Sequence, residues 1–217
     1  MRSCQTKTLL GAAFMLLANA GLSYGDAVIL SNLTAAVNGT GTIYNSGPPQ
    51  WYAQEFLTGS SSELLSSIIV PLGDASGSFT AGAQLVNNNS GLPGSTVLTG
   101  FTVPMIPTGS PTDLTFTPMS SVTLAANTDY WFILAAAGSG GDYQWPYTNT
   151  LSASFLNYAV SENSGATWTV GAPPGPFLLE ATAPSPVPEP SSLVLVTCGF
   201  LTFAVVLSRR RRKVRQG

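Results

Sequence analysis

The sequence predicts an all-β protein. It reads as an antiparallel β-sandwich, jelly-roll-like, set between an N-terminal signal helix and a C-terminal transmembrane helix. Three observations predict this. Short apolar runs with a period of two recur through the middle of the chain, with Gly, Asn and Pro clusters about every ten residues. No stretch of that middle carries a convincing amphipathic helical period. All eight basic residues of the 217 lie at the ends: Arg2, Lys7, Arg209, Arg210, Arg211, Arg212, Lys213 and Arg215.

Residues 1–25 read as a secretory signal peptide. Arg2 and Lys7 form a positive start, Thr8 to Ala18 an apolar stretch, and small residues such as Ala20, Gly21, Ser23 and Gly25 follow. The apolar run is short for a bilayer span. Cleavage is expected within residues 20–26, which implies signal peptidase and the export machinery as partners.

Residues 26–182 form the expected sandwich. Phe79, Ala81, Ala83 and Leu85 alternate with Thr80, Gly82 and Gln84, as on a half-buried strand. Leu114 and Phe116 alternate with Thr115 and Thr117, and Val97, Phe101 and Val103 mark another strand. Leu65 to Leu72 and Tyr130 to Ala136 are nearly continuous apolar runs, as in strands covered on both faces. Further strands are expected at 27–33, 51–57, 122–124, 142–147, 155–160, 167–170 and 177–181. Reversals are expected at 45–49, 73–77, 87–91, Pro93-Gly94 and 138–141, where Gly and Asn accept positive φ and Pro presets a turn.

The body carries a series of short motifs. Gln54-Glu55-Phe56-Leu57-Thr58-Gly59 precedes Leu65-Ser66-Ser67-Ile68. Gly77-Ser78-Phe79, Gly91-Leu92-Pro93-Gly94 and Thr115-Phe116-Thr117-Pro118 follow, then Leu124-Ala125-Ala126-Asn127-Thr128-Asp129-Tyr130-Trp131 and Tyr143-Gln144-Trp145. In order and spacing this series, over roughly residues 50–182, resembles the choice-of-anchor R domain of bacterial surface proteins. One departure is Val86, where the resemblance leads us to expect an aromatic. The family carries no established activity, so the resemblance transfers no catalytic residue.

The body's composition excludes much chemistry. It lacks His, Lys, Arg and Cys, so it cannot build a Ser-His-Asp triad, a Cys nucleophile, a Schiff-base lysine or a His/Cys zinc site. With no cation for phosphate, nucleic acid is not an expected partner. Nine carboxylates remain there: Asp26, Glu55, Glu63, Asp74, Asp113, Asp129, Asp142, Glu162 and Glu180. Paired acids can hydrolyse glycosides, but the sequence places no two of them together, and solvated surface acids are the simpler reading. A non-enzyme is expected. No cofactor is expected. Structural calcium would suit the oxygen ligands available, with Asp74 and Asp142 as loop acids.

Tyr143, Trp145 and Tyr147 fall on one face of a strand. Two readings stand: core packing, which carries the greater weight, and a platform for stacking sugar rings. The second makes polysaccharide a candidate partner and gives a carbohydrate-binding module of the envelope or matrix as the alternative function.

The C-terminal end has three parts. Residues 183–190 are a Pro-rich stalk that ends in Pro188-Glu189-Pro190; residues 191–208 are uncharged and mostly apolar; residues 209–217 open with Arg209-Arg210-Arg211-Arg212-Lys213. At 1.5 Å per residue the apolar run reaches about 27 Å, enough for a hydrocarbon core. The basic cluster is expected to stay on the cytoplasmic side as a stop-transfer signal. This order resembles the PEP-CTERM sorting signal of Gram-negative bacteria. The resemblance implies an exosortase as partner, reading Pro188, Glu189 and Pro190 and cleaving nearby. The expected localisation is export, transient residence in the inner membrane, then the envelope, surface or extracellular matrix.

Overall fold

The structure is a computed structural model, and it describes residues 26–45, 48–138, 140–155, 157–171 and 175–185. The signal segment (1–25), the sorting motif Pro188, Glu189, Pro190, the apolar run (191–208) and the basic cluster Arg209 to Lys213 lie outside the described residues. No helix among the described residues is long and apolar enough to cross a membrane.

The described chain is all-β and every ladder is antiparallel, consistent with a β-sandwich. Its strands are β1 (Ala27–Ser31), β2 (Gly39–Tyr44), β3 (Trp51–Leu57), β4 (Glu63–Leu64), β5 (Ser67–Ser76), β6 (Thr80–Asn89) and β7 (Leu92–Thr102). They continue as β8 (Thr112–Pro118), β9 (Thr123–Leu124), β10 (Asp129–Ala137), β11 (Asp142–Tyr147), β12 (Tyr158–Ser161), β13 (Thr169–Val170) and β14 (Glu180–Ala183). One run of strands is β1-β14-β5-β8; the other is β7-β6-β10-β3-β12-β13, and a two-rung contact between β7 and β8 joins them. β2 pairs β11, and β11 pairs the far end of β5. β4 and β9 make a separate two-strand ladder.

The core lies where these faces meet. Phe132 of β10 touches Phe116 of β8 at 5.8 Å, Phe101 of β7 at 5.3 Å and Trp145 of β11 at 5.9 Å, each edge-on. Edge-to-face contact puts a ring's positive rim on its neighbour's negative face. Ile68, Val70 and Leu72 of β5 and Leu85 of β6 fill the space around them, all fully buried.

The continuous apolar run of β10 is explained by a second, smaller core on the opposite face. There Trp131 and Ile133 pack with Ala53, Val86 and Ala159, bordered by Trp51, Trp168 and Val170. β10 is therefore covered on both sides from Tyr130 to Leu134, as its sequence predicts, while Ala135 is left half-buried on the outer face. Val86 stands opposite Trp131 in register, so the large ring at this point comes from the neighbouring strand.

Three expectations are corrected. Pro93-Gly94 makes no reversal: both lie within β7, and Asn88 pairs Pro93 across a ladder that carries register shifts. The turn between β6 and β7 falls at Ser90-Gly91, both with positive φ, within the reversal expected at 87–91. The 73–77 cluster is mostly strand, with an extra residue in β5 opposite β11 and Asp74 at φ 49°, the geometry of a bulge. The strand expected at 177–181 starts at Glu180, and the preceding stretch follows β11 through single bonds such as Leu178 N–H to the Pro146 carbonyl at 3.0 Å.

Candidate functional site

Of the two readings of the aromatic triplet, the structure supports core packing and not the sugar platform for Tyr143 and Trp145. Tyr143 and Trp145 are 0% exposed and belong to the main core. Tyr143 Oη donates to the Ala135 carbonyl at 2.8 Å, and Trp145 Nε1 donates to the Leu178 carbonyl at 2.8 Å. Burial pushes the Tyr143 phenol far above its usual range. Tyr147 is half-buried, its hydroxyl end over Gly39. A period of two puts the three rings on one face, and that face points inward, so the core reading holds and the alternative of a platform at Tyr143, Trp145 and Tyr147 is corrected.

The loop acids separate in role. Asp142 accepts a hydrogen bond from the Ser76 hydroxyl, and Asp74 is exposed at the bulge, its N–H donating to the Gly109 carbonyl at 2.7 Å. Among the described residues no group of three or more His, Cys, Asp or Glu is arranged to hold a metal ion.

Two other acids meet on the outer face of β3 and β10. Glu55 pairs Trp131 and Asp129 pairs Leu57, which makes the two carboxyls diagonal neighbours on that face. Glu55 is 2% exposed and accepts a bond from Asn157 Nδ2 at 2.6 Å. Burial raises its carboxyl above the usual range; the Asn157 bond opposes this and the Asp129 charge adds to it. Asp129 Oδ1 is buried without a hydrogen-bond partner.

An accessible groove lies further along the same strands on the outer face. Gln84 pairs Ile133 and Gly82 pairs Ala135, so these four share a face. Small side chains at Gly82, Ala135 and Ala137 leave an open, mainly apolar groove of about 270 Å³, with Trp51 as its wall and Thr80 and Gln84 among its polar lining. No charged residue lines it.

The Trp51 ring is held by the loop between β12 and β13. Ser161 Oγ accepts the Gly165 N–H at 2.8 Å, and Asn163 Oδ1 accepts the Thr167 N–H at 2.9 Å. Gly165 has φ +82°, and a Cβ there would stand 2.8 Å from Trp51 Cζ3 and 3.6 Å from Trp168 Cζ2. Only glycine meets both demands. Both tryptophans are half-buried, and Trp51 Nε1 is enclosed without a partner.

The sequence marks Trp51 and Trp168 as aromatic but not as outward-facing. The alternation of β3 sets Trp51 on the opposite face from Tyr52 and Phe56, but it does not say which of the two faces is outward.

Comparison with known protein families, curated proteins and solved structures finds no match.

Proposed function

We propose that this chain is an exported bacterial surface or matrix protein, a non-catalytic β-domain carried by two terminal addresses. Its C-terminal segment is a PEP-CTERM-like signal, sorted and cut by an exosortase-like membrane enzyme. The same proposal includes the finer reading of the fold, a jelly-roll-like sandwich between a signal helix and a transmembrane helix.

One observation carries it. Every Lys and Arg is confined to the ends, and the C-terminal ones follow Pro188-Glu189-Pro190 and an uncharged apolar run in sorting-signal order. Export machinery reads such an order through charge and apolar length. A further observation supports it. β1 and β14 pair directly, Ala27 opposite Ala183, so the chain enters and leaves the domain at one place. Address segments at both ends can then be handled by membrane enzymes from one side.

Replacement of Glu189 by Ala tests the reading. The expected outcome is a larger, uncut form retained in the inner membrane, seen by intact mass of the envelope protein. Processing that matches the parent chain would count against exosortase sorting.

A further inference from the structure

We propose that the groove walled by Trp51 is a binding site for a neutral saccharide, with the Trp51 indole as the stacking surface. The proposal concerns the folded domain and is independent of how the ends are processed.

Three features of the groove select this ligand class. Its floor at Gly82 and Ala135 carries little or no side chain, which lets a flat ring approach the strands closely. Its wall is a large indole, fixed from behind by Gly165 and Trp168 rather than free to fold down and fill the space. Pyranose rings present flat C–H faces to such a surface, and Thr80 and Gln84 supply a hydroxyl and an amide for ring hydroxyls. The volume of about 270 Å³ suits a short saccharide stretch, below the size range of larger ligands.

Charge narrows the class further. No charged residue lines the groove, and residues 26–182 hold nine carboxylates and no cation. An anionic polymer meets only repulsion, and a cation finds no carboxylate in the groove. A neutral ring is the occupant that meets no charge repulsion and leaves no charge unpaired on entering. This places the sugar surface on the opposite side of the sheet from Tyr143 and Trp145.

The test uses the full chain in a zwitterionic detergent without a sugar headgroup. The probes are neutral hexasaccharides of β-1,4-glucan, α-1,4-glucan and β-1,4-mannan, with an oligogalacturonate as the anionic control. Calorimetry and indole emission read binding. We expect at least one neutral series to bind with a change in emission, and the anionic probe to bind at least about tenfold more weakly. Gly82→Val puts a branched side chain in the floor, where a Cβ would have only Ala135 Cβ near it, at 3.8 Å. It should lower affinity by at least about tenfold with Tm unchanged or raised. Trp51→Phe keeps an aromatic filler in the small core and should also weaken binding.

Several results would overturn the proposal: no binding by any neutral series at millimolar concentration, equal binding of the anionic control, or full affinity in a folded Gly82→Val variant. Self-association of the parent chain that Gly82→Val abolishes, with no sugar binding, would assign the groove to a second copy instead.

Discussion

Glu55 is the residue whose surroundings most oppose its usual state. Its carboxyl is enclosed on the outer face, beside Asp129, and burial holds its folded pKa above the ordinary 4.5. The sign follows from proton counting. Between the unfolded and the folded pKa the native state binds more protons than the unfolded state, so stability falls as pH rises through that window. Below about 4.5 the group costs nothing, and above its folded pKa the full penalty is present. Glu55→Gln keeps an acceptor for Asn157 and removes the charge. Its gain in Tm over the parent should therefore be larger at pH 7 than at pH 4. Equal gains at the two pH values would show that the ionised form carries no penalty. The Asn157 bond, at 2.6 Å, limits the effect without reversing it.

At the level of elements, β2 shows what a sequence pattern conceals. Gly39-Thr40-Gly41-Thr42-Ile43-Tyr44 has no apolar alternation, and its two glycines mask the strand preference of Thr40, Thr42, Ile43 and Tyr44. The reason lies elsewhere in the fold. A Cβ on Gly41 would stand 2.7 Å from Phe177 Cε1, and that ring stacks on Trp145 at 4.5 Å. The glycine is there to admit a ring contributed by a segment far away in the chain. Gly41→Ala should cost about 1–3 kcal/mol by overpacking, a fall in Tm of roughly 2–12 °C for a domain of this size. An unchanged melt would mean that the ring shifts freely. The strands that were legible, β3, β10 and β11 above all, are those whose own side chains form the core. The ones that were not, β2 and the corrected Pro93-Gly94 turn in β7, owe their form to partners across the sheet. The groove was illegible for a similar reason. Alternation tells which residues share a face, but Trp51 faces outward because Gln54, Tyr52 and Phe56 are required inside, and that choice depends on the register with β10 and β12.

The whole domain is electrostatically unusual. A folded surface ordinarily mixes attractive and repulsive pairs, so added salt has no fixed sign of effect on stability. Between residues 26 and 182 there is no side-chain cation, and every pair among the nine carboxylates is repulsive. Folding brings these charges closer than they are in the unfolded chain, which opposes the compact state. Screening must then stabilise. The Debye length shrinks from about 30 Å at 0.01 M to about 8 Å at 0.15 M, which removes most of the repulsion between opposite sides of the domain. The domain freed of both basic ends should melt higher at 0.15 M than at 0.01 M sodium chloride. A relief of about 1 kcal/mol would appear as roughly 2–4 °C. Potassium chloride should do the same, because the effect depends on ionic strength and not on a bound ion. A larger response to calcium, matched for ionic strength and reversed by a chelator, would point to a specific site near acids such as Asp74 or Asp142. A Tm that falls with salt would mean that charge repulsion is not what limits this fold. With its basic ends attached the chain should respond less, since the eight Lys and Arg of the ends then offset most of the negative charge of the nine carboxylates. The difference between the two forms measures how far the ends and the domain act on each other through charge alone.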